Sequence, residues 1–517
     1  MGARTSVRGV VVLSPFLVLA GCITSDNGGA PDGGGVVPIV EGGGADFDAG
    51  GSGDATTGGG GDSGTGGGLD AGGGSDSGGG TDGGGAEGSA GEAGGDEGGT
   101  VFANCDPKTA VDLTGGVNGA QGINAIAAGD KQVALWMLAF QVSPDNQNHW
   151  NARGAGAGSW GSVVDLGVGN FYPSPFLVSD GAGRGFAQYT TGTATVRSLY
   201  DFGTQAFAAA TPFGGSAGTG GGTDSALVGL LAGGAVSMYT SYAAAGALVA
   251  DKWSPGSGQW EATPLNVVGT PNQLNVQVNP TSGRLGYVYY DYNGSLLVLH
   301  VGAYDGTSWV TDAVTLPQEA GVPGNFTVGT YTNGDLLVAY YSSADGALVA
   351  ARYHVTGKTW DAPVVLDPGG GFVGSVHVAV DGADRATVVW QRGTANGFAR
   401  RNLGSSWAPA TDLGPAGGGA SGYRLALDAS SNAYILTSDP TSSNLVLWRA
   451  AATSDAFAAP YSTGLATTVG ALSSNTNLDR GSALAFDGAG HPLVYAALLP
   501  AAKDGGVGLS LYMTTCR

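Results

Sequence analysis

Beyond residue 100 the chain alternates short apolar runs with turns rich in Asp, Asn and Gly. The runs are rich in β-branched residues, and no helical periodicity of useful length accompanies them, so they predict strands. One unit recurs. It is an apolar strand, an Asp/Asn/Gly turn, a strand ending in an aromatic, a short turn, a third strand, then Gly-x-x-Trp and a fourth strand. Residues 326–367, FTVGTYTNGDLLVAYYSSADGALVAARYHVTGKTWDAPVVLD, form the clearest copy, and residues 375–413 the next. Late in each copy stands an aromatic anchor: Trp160, Phe207, Trp260, Trp309, Trp360, Trp407 and Phe457, spaced by 47, 53, 49, 51, 47 and 50 residues.

The first turn of the unit recurs near Gly129, Gly183, Gly234, Gly283, Gly334, Asp384, Asn432 and Gly490. That makes eight turns against seven late anchors. The eighth copy stops after its third strand, which ends at Cys516. The missing fourth strand is found at the other end of the domain: TAVDLT at 109–114 resembles SVVDLG at 162–167 and PATDLG at 409–414. Cys105 stands just before it. Four-stranded units near 50 residues, closed by pairing the two termini, predict an all-β fold, a β-propeller of eight four-stranded blades. Seven blades is the alternative, because the first and third copies are degenerate.

Composition changes the picture at the N-terminal end. Residues 23–100 hold 34 Gly and 14 acidic residues in 78 positions, with no Lys or Arg. They carry −14 of the net −21, and residues 101–517 carry −9. So few large apolar side chains cannot offset the entropy of ordering, so this segment is expected to be a disordered tether. As a flexible coil it would span ~45–55 Å r.m.s.. Collagen is excluded by the lack of a Gly-X-Y register. A nucleic-acid partner is excluded by the lack of a basic patch.

The chain begins MGARTSVRGVVVLSPFLVLAGC. Arg4 and Arg8 precede an apolar run from Val10 to Leu19 that is too short to span a bilayer, the pattern of a secretion signal. Leu19-Ala20-Gly21-Cys22 resembles the lipobox of bacterial lipoproteins. The resemblance implies cleavage before Cys22, its lipidation, and anchoring to a membrane; multiple acyl chains make such an anchor stable. Residue 23 is Ile rather than Asp, which under the family's sorting rule favours the outer membrane, with the domain periplasmic or surface-exposed. The organisation expected is therefore a signal peptide at 1–21, a lipidated Cys and linker at 22–100, and the propeller at 101–517. With Cys22 lipidated, Cys105 and Cys516 remain, and an oxidising compartment predicts their disulfide, which would close the ring.

The repeat is similar to those of sialidase-like and lectin-like propellers of secreted bacterial proteins. Tyr304-Asp305-Gly306-Thr307-Ser308-Trp309 resembles their Asp-box turn, without its Ser and without the residue between Asp and Gly. Sialidases hold a carboxylate with three Arg and attack with a Tyr assisted by a Glu. The propeller region has only two Glu, Glu261 and Glu319, and neither pairs with a Tyr. Glycoside hydrolysis usually needs two positioned carboxyl groups. Arg184, Arg284 and Arg385 stand in the first turns of copies 2, 4 and 6, where they could hold an anion or simply be solvated. His149 and Trp150, after an Asn-rich loop, lie off both aromatic registers and are candidate ligand groups. The second-strand aromatics Trp136, Tyr189, Tyr239, Tyr290, Tyr341 and Trp390 recur once per copy, which predicts packing between blades. Asp291-Tyr292-Asn293-Gly294 is half of a calcium loop without its distal Glu. The five His show no ligand spacing, so no metal and no cofactor are expected. The function expected is a monomeric, non-catalytic binding module for a carbohydrate or protein ligand. An exported glycosidase or lyase using the central face, and a structural envelope protein, are the alternatives.

Overall fold

The computed structural model describes Cys105, residues 111–113 and, with breaks in several connections, residues 120–516. The expected signal peptide, Cys22 and the expected linker lie outside the described residues, as do Glu319 and several connections between second and third strands. The described residues belong to the larger of two units in the chain.

Every element named among the described residues is a strand, and the strands form eight antiparallel sheets. Blade 1 is Ala120–Ala128, Lys131–Leu138, Asn146–Arg153 and Val164–Gly169, hydrogen-bonded in chain order. Blades 2 to 7 follow at 176–212, 225–264, 271–310, 326–367, 373–415 and 424–462. Blade 8 takes Ser482–Phe486, Pro492–Pro500 and Ser510–Thr515 from the C-terminal end, and its fourth strand, Val111–Asp112, from the N-terminal end. Val111 pairs with Met513 and Asp112 with Tyr512. The expected closure is therefore present, and the blade number is eight. The first strand of each blade contacts the first strands of both neighbours around the whole ring, including blades 8 and 1. All eight blades form one β-propeller.

The first-strand turns show why the Asp-Gly pattern recurs. Asp180, Asp381, Asp428 and Asp487 each accept two backbone N–H bonds through Oδ1, from residues two and four ahead. Such a turn needs a residue with positive φ. Gly183 supplies it in blade 2, but Asp384 at 61° and Ser431 at 66° do so in blades 6 and 7. In blades 3 and 7 this left-handed residue is Gly233 and Ser431, one position before the Gly234 and Asn432 expected from the pattern. Asp, Asn and Ser tolerate this region because their side chains bond locally.

Apolar side chains fill the eight gaps between successive blades, one cluster to each. Each late anchor packs on the cluster shared with the preceding blade: Phe207 on that of blades 1 and 2, Trp260 on 2 and 3, Trp360 on 4 and 5. Of the second-strand aromatics, Trp136 and Trp390 are fully buried and Tyr189 nearly so. Tyr239, Tyr290 and Tyr341 are half-buried. Fully burying one large apolar side chain contributes about 1.5–3 kcal/mol, so these clusters supply the main force holding blade to blade.

The anchors sit at a fixed register. In blades 2 to 5 an aromatic at or next to the end of the third strand faces one at or next to the start of the fourth: Tyr200 and Phe207, Trp253 and Trp260, Tyr304 and Trp309, Tyr353 and Trp360. These four pairs are in ring contact at centroid distances of 5.0, 5.6, 4.6 and 4.9 Å. In blade 8 the same two places are held by Cys516 and Cys105, which bridge as backbone partners and form the disulfide. Both lie in the cluster between blades 7 and 8. The cystine stands where the eighth late anchor and its third-strand partner would be, which accounts for eight turns and seven anchors.

Candidate functional site

Basic residues are scarce in the propeller, and most of those described tie one blade to the next. Lys131 Nζ donates to Phe202 O at 2.7 Å, and Lys252 Nζ to Tyr304 Oη at 2.7 Å. Arg197 and Asp251 form an ion pair at 2.6 Å between blades 2 and 3, with both side chains buried. The Arg197 guanidinium also lies 4.4 Å from the centroid of Trp260. Arg392 donates Nε to Asp367 Oδ2 at 2.8 Å between blades 6 and 5. Arg400 and Arg401, adjacent on the third strand of blade 6, point to opposite sides. Arg400 Nη1 reaches Leu366 O of blade 5 at 3.0 Å, and Arg401 Nη1 reaches Ala451 O of blade 7 at 2.5 Å. Arg424 Nε reaches Ser482 O of blade 8 at 3.0 Å. Between blades 8 and 1, Tyr495 Oη donates to Gln132 Oε1 at 3.1 Å.

The three first-turn arginines separate against this background. Arg284 of blade 4 donates to Asn333 O in the first turn of blade 5. Arg385 folds back on its own turn, with Nε 2.6 Å from Asp381 Oδ2. Arg184 is exposed, and its guanidinium makes no hydrogen bond or ion pair among the described residues. The structure does not bring the three together into one anion site, because each belongs to a different blade and two are engaged.

Arg184 instead lines an open pocket of about 510 Å³ on blade 2. Its first-turn wall is Ala182 to Arg184, and its far wall is the third-strand end Leu199 to Asp201 with Thr204, Phe207 and Ala208. Arg184 and Asp201 are cross-strand partners. The Asp201 carboxylate turns into its own hairpin, where Oδ1 accepts N–H bonds from Gly203 at 2.5 Å and Thr204 at 3.4 Å. Burial, and then the Asp201 charge, push the Tyr200 phenol up to about 12, so it is a neutral hydroxyl at ordinary pH. Its oxygen has no hydrogen-bond partner among the described residues. The pocket thus offers one unshared guanidinium, a capped carboxylate and the half-buried Leu199 and Phe207, while Tyr200 is buried in the cluster of blades 1 and 2.

His149 and Trp150 do not form a ligand site. Both lie within the third strand of blade 1, and alternation sends them into two different interiors. Trp150 meets Tyr200 and Phe207 edge-on at 5.8 and 5.1 Å, inside the cluster of blades 1 and 2. His149 stacks on Trp136 at 6.2 Å. Neither His149 nitrogen has a partner among the described residues. Burial pushes its imidazole below the ordinary value, against the pull of Asp165. His377 is buried on the first strand of blade 6. The Asp291 half-loop lies on the second strand of blade 4 and its connection, with residues 294–295 outside the described ones. Among the described residues, no group of three or more His, Cys, Asp or Glu could hold a metal.

The pocket was only half legible in the sequence. Arg184 stood out by its place in the repeat. Phe207 stood out only as a packing anchor, and Asp201 carried no signal beyond its strand position, since pairing of the second and third strands is what brings it to Arg184.

No protein-family model matches the chain, and no curated protein does. Among solved structures, the Dos1 propeller aligns at 8% identity over 79% of this chain and 94% of that one, with a TM-score of 0.45. The intramolecular trans-sialidase from Ruminococcus gnavus, in complex with oseltamivir carboxylate, aligns at 13% identity over 63% and 91%, with a TM-score of 0.33. The Aleuria aurantia lectin in complex with Fucα1-6GlcNAc aligns at 14% identity over 66% and 96%, with a TM-score of 0.34. At these identities and scores the likeness carries no argument about activity or ligand.

Proposed function

We propose that the chain is a lipid-anchored protein of the bacterial envelope whose propeller is a non-catalytic binding module, with a carbohydrate unit as ligand in the blade 2 pocket. The observation that carries this reading is the Arg184 guanidinium, unshared in an open pocket while its counterparts Arg284 and Arg385 are engaged. A guanidinium and a carboxylate beside a partly apolar wall suit a polyhydroxylated ring with one apolar face. The buried carboxylates speak for binding rather than hydrolysis. Asp381 and Asp428 cap turns and bond further through Oδ2, while Asp251, Asp335 and Asp367 accept from arginines; Asp180 caps its turn through Oδ1 alone. Groups so committed make poor proton shuttles.

Anchoring rests on the lipobox-like segment ending at Cys22, and the acidic Gly-rich stretch behind it would hold the propeller away from the membrane. Cys22→Ala is expected to leave the protein unlipidated and move it to the soluble fraction; continued membrane association would count against the anchor. For the binding module, the soluble Cys22→Ala protein is tested on a glycan array, with Arg184→Ala alongside. Saccharide binding that Arg184→Ala weakens about tenfold supports the reading. A blank array, or cleavage of the arrayed glycans, overturns it.

A further inference from the structure

We infer that the blade 2 pocket selects carboxylated saccharides, such as hexuronate-containing oligosaccharides, over their neutral counterparts. This rests on the carbohydrate reading above and narrows it. Two groups in the pocket carry charge, Arg184 and Asp201. Asp201 is held in its own turn by the N–H groups of Gly203 and Thr204, so its oxygens are partly occupied. Arg184 is exposed and has no side-chain partner among the described residues.

The same register in blade 4 shows what a spent arginine looks like. There Arg284 crosses to the carbonyl of Asn333, so closely that a Cβ on Gly334 would sit 2.9 Å from its Nη1. Blade 3 has the corresponding turn, closed by the Leu230 N–H on Gly234 O, but Arg184 makes no contact of this kind with its described residues, and Gly229 closes on Ser179 of blade 2 backbone to backbone. Arg184 therefore stays in the pocket mouth. A planar fork of N–H donors matches the two oxygens of a carboxylate, and a charged acceptor roughly doubles the strength of such hydrogen bonds over neutral ones. A neutral hydroxyl uses only part of that fork. The chain as a whole is acidic, at −21. Attraction of an anion must come from this local group and not from long-range charge.

The test is titration calorimetry on the full-length Cys22→Ala protein, with oligogalacturonate and with neutral galactose oligomers of equal length. The expected result is at least about tenfold tighter binding of the acidic ligand. That preference should shrink with added salt and disappear in Arg184→Met. Lys358→Met, which removes an exposed cation from a turn of blade 5, should keep it. Equal affinity for the two ligands, or a preference that survives Arg184→Met, overturns the inference while leaving the carbohydrate site standing. Binding of neither ligand, with the glycan array also blank, overturns both. Unchanged thermal melting of Arg184→Met would show that a lost preference is not a lost fold.

Discussion

Blades 5 and 8 solve one packing problem with different chemistry. At the junction of third and fourth strands, blade 5 sets Tyr353 against Trp360, their rings 4.9 Å apart. At the same junction blade 8 sets Cys516 against Cys105 in a disulfide. The backbone register is equivalent; what differs is the chain between the partners. Tyr353 and Trp360 are joined by one short hairpin turn, so closing them costs little entropy. Cys105 and Cys516 are 411 residues apart. An aromatic contact there would have to hold the whole ring closed, and the closure term grows with loop length. A covalent bond removes that term from the folded state's burden by restricting the unfolded chain. The place that needs a covalent link is the one place in the ring where the chain itself does not supply it.

Expected effects of substitution run from largest to smallest. Arg197→Ala leaves Asp251 buried without its cation and should lower stability by about 3–5 kcal/mol in denaturant titration. Its size sets the scale for a bond between blades that is neither cystine nor aromatic. Cys105→Ser should cost about 2–5 kcal/mol, and reductant should reproduce the loss in the wild type. Unchanged stability would mean that the cystine is not the closure. Trp360→Ala should cost about 2–4 kcal/mol, since the ring is only half-buried. The sharper test is a Cys105→Trp/Cys516→Tyr double variant. If the register alone mattered, it would match the wild type; the entropy argument expects it to stay close to Cys105→Ser.

Smaller effects come from two histidines with opposite titration. His354 is held by Asp361 at 3.0 Å and Asp335 at 2.8 Å, which raises its pKa. Its folded value lies above the unfolded one. It should therefore add stability at pH below the unfolded value of about 6.5, lost as pH rises through the folded value. His149 is pushed the other way by burial. The unfolded chain binds its proton first, so its contribution holds above about pH 6.5 and is lost on acidification. Denaturant titrations between pH 5 and 8 should show His354→Gln flattening the alkaline loss and His149→Gln the acid loss. A matched response in both variants would contradict the assignment. Arg184→Met should change stability by less than about 0.5 kcal/mol, because its side chain holds nothing in the fold.

Much of the architecture was legible along the chain. The turns and the anchor spacing set the blade number, and the likeness of TAVDLT to the other fourth strands located the closure. Those signals are local or periodic, and one blade needs little more than its own 50 residues to be recognised. The site was less legible. His149 and Trp150 stood out for their composition, yet strand alternation buries both. Arg184, Arg284 and Arg385 were alike in sequence, and only the folded contacts distinguish them: Arg284 meets the next blade and Arg385 its own turn.

By itself the sequence determined the repeat, the strand-turn chemistry and the pairing of two cysteines 411 residues apart. Hydrophobic period and turn residues act over a few positions, so they can be read without the fold. The tertiary structure decided which charges are spent. Arg197 meets Asp251, 54 residues away, and Arg284 meets Asn333, 49 residues away. Whether an arginine becomes a staple or stays open in a pocket depends on what the next blade presents to it, and that is set by the packing of one repeat against another.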